Sequence, residues 1–250
     1  MTVRAELDGH AFDLAALARH FPSGDPRVVV DHERTYLEAS ALDDLFGDGG
    51  ALVAVATEIL ARLNGHAKLD DAGYRPVRLR NRFVQRPGVE HAVVHDQAVT
   101  RDHVVVMVGV AEARCGALAA AAVVDGEAAE APAPVGPRQL ARAAASSDAD
   151  DLLALIGKAE VLDWVALWKA YEIIRAAVGG KDAAVVATGW VTEADIVNFG
   201  HAANEPSASG SAARHARRRP WNKQPTRILS MDEGQQFIRE IARRWLDSLP

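Results

Sequence analysis

Cysteine is nearly missing from this 250-residue chain, where Cys115 stands alone. A single thiol excludes an internal disulfide framework and any zinc site built from several cysteines, and it fits a reducing cytoplasm. Long apolar runs are missing as well. Charges break every apolar stretch before the roughly 20 residues that a membrane helix needs. The opening MTVRAELDGH has neither the basic start nor the apolar run of a secretory signal. A cytoplasmic protein that does not enter a membrane is the expectation. A phosphate-cradling loop is also lacking. GDGG at 47–50 precedes a helix, but it follows DDLF where a strand would be needed, and it has no lysine. It reads as a turn.

What is present is ordinary in bulk and uneven in distribution. Apolar residues make up 49% and charged residues 25% of the chain, as in globular proteins. Residues 151–250 carry 13 basic and 12 acidic side chains, whereas residues 1–150 carry 15 and 22. All five tryptophans, Trp164, Trp168, Trp190, Trp221 and Trp245, follow residue 150. This asymmetry divides the chain into an N-terminal domain (1–125), an Ala/Pro-rich linker (126–150) and a C-terminal domain (151–250). Pro132, Pro134 and Pro137 are expected to prevent a continuous helix in the linker.

The first part reads as α+β, with a mixed, mainly antiparallel sheet and helices. VRAELDG alternates and then turns, RVVVDHERTYLEA suits a long strand or a hairpin, and PVRLRNRFV alternates apolar with basic residues. HAVVHDQAV and HVVVMVGVAEA are further β-rich runs, and ALAAAAVVDGE ends like a strand entering a turn. GALVAVATEILARLNG has helical spacing, with Asn64-Gly65 as its expected stop. The second part reads as a helical bundle. DADDLLALIGKA carries acids at its start. AEVLDWVALWKAYEIIRAAVGG is apolar around most of its circumference, with Lys169, Glu172 and Arg175 on a narrow polar stripe. Thr192 caps TEADIVNFGHAAN, and Ser230 with Glu233 forms a capping box for the final helix.

One connection is too long for a bundle. Residues 205–229 join two helices, where about two to eight residues suffice. SGSAARHARRR within it can form a short helix capped by Ser209 or Ser211. Arg214, Arg217, Arg218, Arg219, Lys223 and Arg227 place six positive charges in 14 residues, and Trp221 offers a base-stacking surface. A solvated basic loop is the plain reading, and a polyanion site is the second. The third is catalytic: arginines beside His215 favour its neutral form, which accepts a proton while a guanidinium holds phosphate. Arg214, His215 and Asn204 are then the candidate catalytic groups for metal-independent RNA cleavage. Lys169 and Glu172 are supporting residues that need partners on an apolar helix, with Arg214 or His215 as the candidates.

WVALWKAYEII, W…F.HAAN, SG.AARH and SMDEGQQFIREIARRWL together resemble a recurrent group of uncharacterised bacterial proteins. The resemblance covers residues 160–249, with LARLNGHAKL as a weaker echo. The helical bundle and its Arg/His/Asn cluster more distantly resemble HEPN domains, many of which are dimeric, metal-independent ribonucleases of defence or toxin systems. In HEPN nucleases several residues separate the arginine from the histidine, whereas here Arg214 directly precedes His215. The resemblance implies an RNA-directed protein, with RNA, a homodimer or another protein as partner, and with neither cofactor nor metal. The alternatives are a non-enzymatic interaction or assembly protein in which the cluster is structural, and a nucleotide or small-molecule sensor. His91, His95 and Asp96 lie too far apart along a strand to share a metal, and Cys115 reads as a packed small residue.

Overall fold

A computed structural model describes residues 2–86, 89–92, 123–124, 127–128, 135–216 and 223–250. The chain starts with β1 (Thr2–Asp8), α1 (Ala11–His20), the hairpin β2 (Arg27–Asp31) and β3 (Arg34–Glu38), and the short α2 (Ser40–Asp43). The long α3 (Gly49–Asp70) leads to β4 (Arg78–Arg86) and β5 (Val89–Ala92). All neighbours in the sheet are antiparallel, in the order β2-β3-β1-β4-β5. Alternation sorts its faces. Ala5 pairs with Leu37 and Phe83, and this apolar row is fully buried. One residue along, Arg4 pairs with Glu38, which also receives the Nε–H of Arg27 at 2.6 Å. Val123–Val124 (β6) and Glu127–Ala128 (β7) pair antiparallel, and the Asp-Gly turn expected between them lies outside the described residues. The expected β-runs over 93–99 and 103–113, with His95, Asp96 and Cys115, fall outside the described residues.

The remaining elements are helical: α4 (Val135–Ala144), α5 (Ser147–Lys158), α6 (Trp164–Ala177), α7 (Asp182–Ala187), α8 (Glu193–Asn204), α9 (Pro206–Ser209), a 3₁₀ turn (Gly210–Ala212) and α10 (Met231–Ser248). The expected caps are present. Thr192 and Asp195 form a capping box on α8, and Ser230 and Glu233 form one on α10. The fold is thus an antiparallel five-stranded sheet with helices, followed by a helical region. Among the described residues, no helix is long and apolar enough to cross a membrane.

Three local expectations need correction. The helix of residues 49–70 does not stop at Asn64-Gly65. Gly65 is where α3 crosses α5: a Cβ there would lie 2.0 Å from the Leu153 carbonyl oxygen, and one on Gly157 would lie 1.7 Å from that of Ala61. Asn64 is not a cap either. Its side chain donates to Val77 O at 2.8 Å and accepts from Tyr74 at 2.6 Å, which ties the turn before β4 to the helix. The second correction is the linker, since residues 135–144 are helical and α5 begins at Ser147. Pro137 falls in the first turn of α4, where a helix needs no N–H from it. Third, the expected helix over 209–219 ends before Arg214. Gly210 adopts φ 59°, and the chain leaves helical geometry at Ala213 with ψ 145°.

The α3–α5 crossing places both parts of the chain on one core. Buried residues run continuously from Val3, Leu37 and Phe83 through Leu63, Leu153 and Ile156 to Tyr171, Phe199 and Ile241. Polar contacts reinforce the joint. Arg62 donates to Asp150 at 2.8 Å, Lys158 to Glu58 at 2.7 Å, and buried Lys68 to the carbonyl oxygens of Ala159 and, at 3.3 Å, Glu160.

Candidate functional site

The predicted Arg–His cluster lies where α8 runs into the long connection. The Arg214 N–H donates to Ala203 O at 2.9 Å, folding the strand-like segment back on the end of α8. Its guanidinium stands 5.7 Å from the Trp168 ring centroid, and its Nη1 is 3.8 Å from Glu172 Oε1. Trp168 and Glu172 are four apart on α6, so they share a face. Trp168 stacks on buried Phe199 of α8. The expected Glu172–Arg214 pair therefore exists, as part of a clamp between two helices and a loop.

The other predicted groups are placed differently. Asn204 is 3% exposed, and its Nδ2 donates to Gly200 O at 2.9 Å. His215 is half-buried and makes no hydrogen bond or ion pair among the described residues. Lys169 is exposed and likewise unpaired there. Lys223 pairs with Glu193, and Arg227 with Glu233. Exposed pairs like these are screened by solvent and contribute little, so both cations can exchange partners. Arg217, Arg218, Arg219 and Trp221 fall outside the described residues.

A second constellation was not apparent from the sequence. His20 ends α1, while His66, Leu69 and Asp70 occupy the last two turns of α3. Gln139 comes from α4, and Arg243 and Asp247 from the last two turns of α10. These seven residues line a cleft of about 300 Å³. Gly136 makes the arrangement possible. A Cβ at that position would lie 2.5 Å from the His20 carbonyl oxygen, so only glycine lets α4 start against the end of α1.

The polar groups of the cleft form two chains. In the first, the Gln139 Nε2 amide donates to Asp247 Oδ1 at 2.6 Å, and Gln139 Oε1 faces His66 Nε2 at 2.6 Å. A carboxylate only accepts, which fixes the orientation of the amide. Its oxygen must then receive the Nε2–H of His66, leaving Nδ1 as the bare acceptor. That nitrogen is buried and has no hydrogen-bond partner. In the second chain, His20 Nε2 is 3.5 Å from Asp70 Oδ2, and Arg243 Nη2 donates to Asp70 O at 2.7 Å.

The two imidazoles meet edge to face, with centroids 5.4 Å apart, and Phe21 packs on His66 from another side at 5.2 Å. Burial, and after it the neighbouring His20, lower the pKa of His66 to about 4 against the hydrogen bond that it donates to Gln139. Burial also lowers that of His20, against the pull of Asp70. Both rings are thus set toward the neutral form, in which each offers one donor and one acceptor. Such a site can bind a polar ligand and relay a proton. Among the described residues, no group of three or more His, Cys, Asp or Glu side chains is arranged to hold a metal.

The sequence carried a faint signal of this cleft. Every residue of LNGHAKL, 63–69, is buried, although Asn64, His66 and Lys68 are polar. Three polar side chains in one fully enclosed helical segment require partners from elsewhere in the fold. His66 finds its partner in Gln139, 73 residues away, and Gln139 in turn reaches Asp247, 108 residues further on, beyond any local pattern. No family model, curated protein or solved structure matches the chain, so its site is defined by its own geometry.

Proposed function

We propose that this chain is a small-molecule-binding protein, a sensor whose ligand occupies the cleft formed by His20, His66, Asp70, Gln139, Arg243 and Asp247. One observation carries this reading. His66 is 5% exposed, its tautomer is fixed by Gln139, and its remaining nitrogen is an unused buried acceptor beside an open cleft. An unpaired buried polar atom costs about 1–3 kcal/mol, and a ligand donor that reaches it recovers that cost. Four helices contribute lining residues, so an occupant would brace α10 against α1, α3 and α4. The test is by NMR on the intact chain. His20 and His66 ring resonances, assigned with His20→Gln and His66→Gln, are followed while an amine, inorganic phosphate and ribose are titrated in turn. Saturable shifts with any of the three support a ligand cleft, and none with all three refutes it.

The RNA-directed reading is second, as a binding protein or a metal-independent ribonuclease using Arg214, His215 and Asn204. It is favoured by the exposure of the Lys223 and Arg227 side chains, 60% and 58%, beside three arginines in sequence. In the assembly reading, the Arg214 clamp is simply structural.

A further inference from the structure

Within the small-molecule reading, on which this inference rests, we infer that the cleft takes a small organic cation carrying N–H donors, an alkylammonium compound. The argument is the balance of charge and of hydrogen-bonding capacity in the lining. With both imidazoles neutral, the lining presents two carboxylates, Asp70 and Asp247, against one guanidinium, Arg243. Three helices also bring their final turns to it: α1 at His20, α3 at Asp70 and α10 at Asp247. Each helix C-terminus carries roughly half a negative charge on its free carbonyls.

The protein's own cations record the sign of that field. Arg243 donates to the carbonyl of Asp70, and Arg142, which does not line the cleft, donates to the carbonyl of Asp247 at 3.2 Å. Both guanidiniums have settled on the carbonyls of helix ends, as a cation does at the negative end of a helix. The capacity that is left is mostly that of acceptors. Asp247 Oδ1 is used by Gln139, while Oδ2 has no partner among the described residues. Asp70 is held only at 3.4–3.5 Å by Arg243 and His20. His66 Nδ1 is bare. A phosphate would bring four more acceptors into this set and face two carboxylates, whereas an ammonium brings three donors and a matching charge.

The experiment is titration of the intact chain with 1,4-diaminobutane, inorganic phosphate and ribose, read by the His20 and His66 ring resonances and by calorimetry. Diaminobutane is expected to bind saturably. Asp70→Asn and Asp247→Asn are each expected to weaken it about tenfold, as removal of a charged partner does. Asp247→Asn keeps an oxygen for Gln139, so the scaffold is retained, and unchanged melting verifies this. Phosphate or ribose binding without diaminobutane binding overturns the cation assignment and leaves the small-molecule reading standing. So does diaminobutane binding that neither Asp→Asn change weakens. Silence from all three probes removes both.

Discussion

Gly65 of α3 and Gly157 of α5 meet backbone to backbone, with no room for a methyl group on either. The crossing joins the helix that runs beneath the sheet to the first full helix of the bundle. Gly157→Ala would gain helix propensity of up to about 1 kcal/mol. It would still cost about 1–3 kcal/mol net or more, because the Cβ strikes backbone, which cannot rotate away. Gly50→Ala is the control. It lies in the first turn of α3, the other helix of the crossing, and its Cβ would meet only the Asp48 side chain, at 3.6 Å. Urea midpoints are expected to fall for Gly157→Ala and to hold or rise for Gly50→Ala.

A fragment of residues 151–250 is expected not to fold alone. Leu152, Leu153 and Ile156 are completely buried, and α5 packs against α3, which the fragment lacks. Circular dichroism of the isolated fragment should show little helix, while the intact chain melts in a single transition. A helical, cooperatively melting fragment would make the C-terminal region an independent domain.

Acid should destabilise the protein through His66. Its folded pKa of about 4 lies below the ordinary 6.5, because the buried ring resists charging. Between those values the unfolded chain binds the extra proton, so stability rises with pH there. The contribution is complete above about pH 6.5, declines as pH falls, and is fully lost below about 4. The loss amounts to about 3 kcal/mol. His66→Gln, which keeps an N–H donor but cannot titrate, should flatten the slope of urea stability against pH over that window. An unchanged slope would assign the acid sensitivity to other groups.

Arg214 and His215 should separate in their effects. Arg214→Ala removes the contact over Trp168 and the pair with Glu172, and should lower stability by about 1 kcal/mol. His215→Ala should leave melting nearly unchanged. Neither variant nor the parent should cleave RNA in EDTA if the clamp is structural. Cleavage by the parent that falls roughly 10²–10⁴-fold in His215→Ala, with melting preserved, would establish the ribonuclease reading instead.

Local patterns carried the elements well and the site poorly. The hairpin of residues 27–38, the β1 and β4 strands, α5, α6, the Thr192 cap and the Ser230–Glu233 capping box follow from alternation, helical spacing and cap chemistry within a few residues of each other. Asn64-Gly65 misleads because the same dipeptide that ends many helices also serves a close helix crossing, and only the partner helix distinguishes the two. Pro137 misleads because proline breaks a helix interior but suits a first turn, and the helix start is not marked by a strong cap in APAPVGPRQ. The pairing of Glu172 with Arg214 could be reasoned from an isolated charge on an apolar helix. The cleft could not, since His20, His66, Gln139 and Asp247 come from four helices and share no spacing.

The crossing also gives α3 the mechanics of a lever. Gly65 is its fulcrum, with 16 residues on the Gly49 side and five on the Asp70 side. At 1.5 Å per residue, the arms measure about 24 Å and about 8 Å. The short arm ends in the cleft, and the long arm runs back beneath the sheet to the Asp48 cap. For a rigid rod pivoting at that point, each ångström of travel at Asp70 becomes about three at Gly49, in the opposite direction.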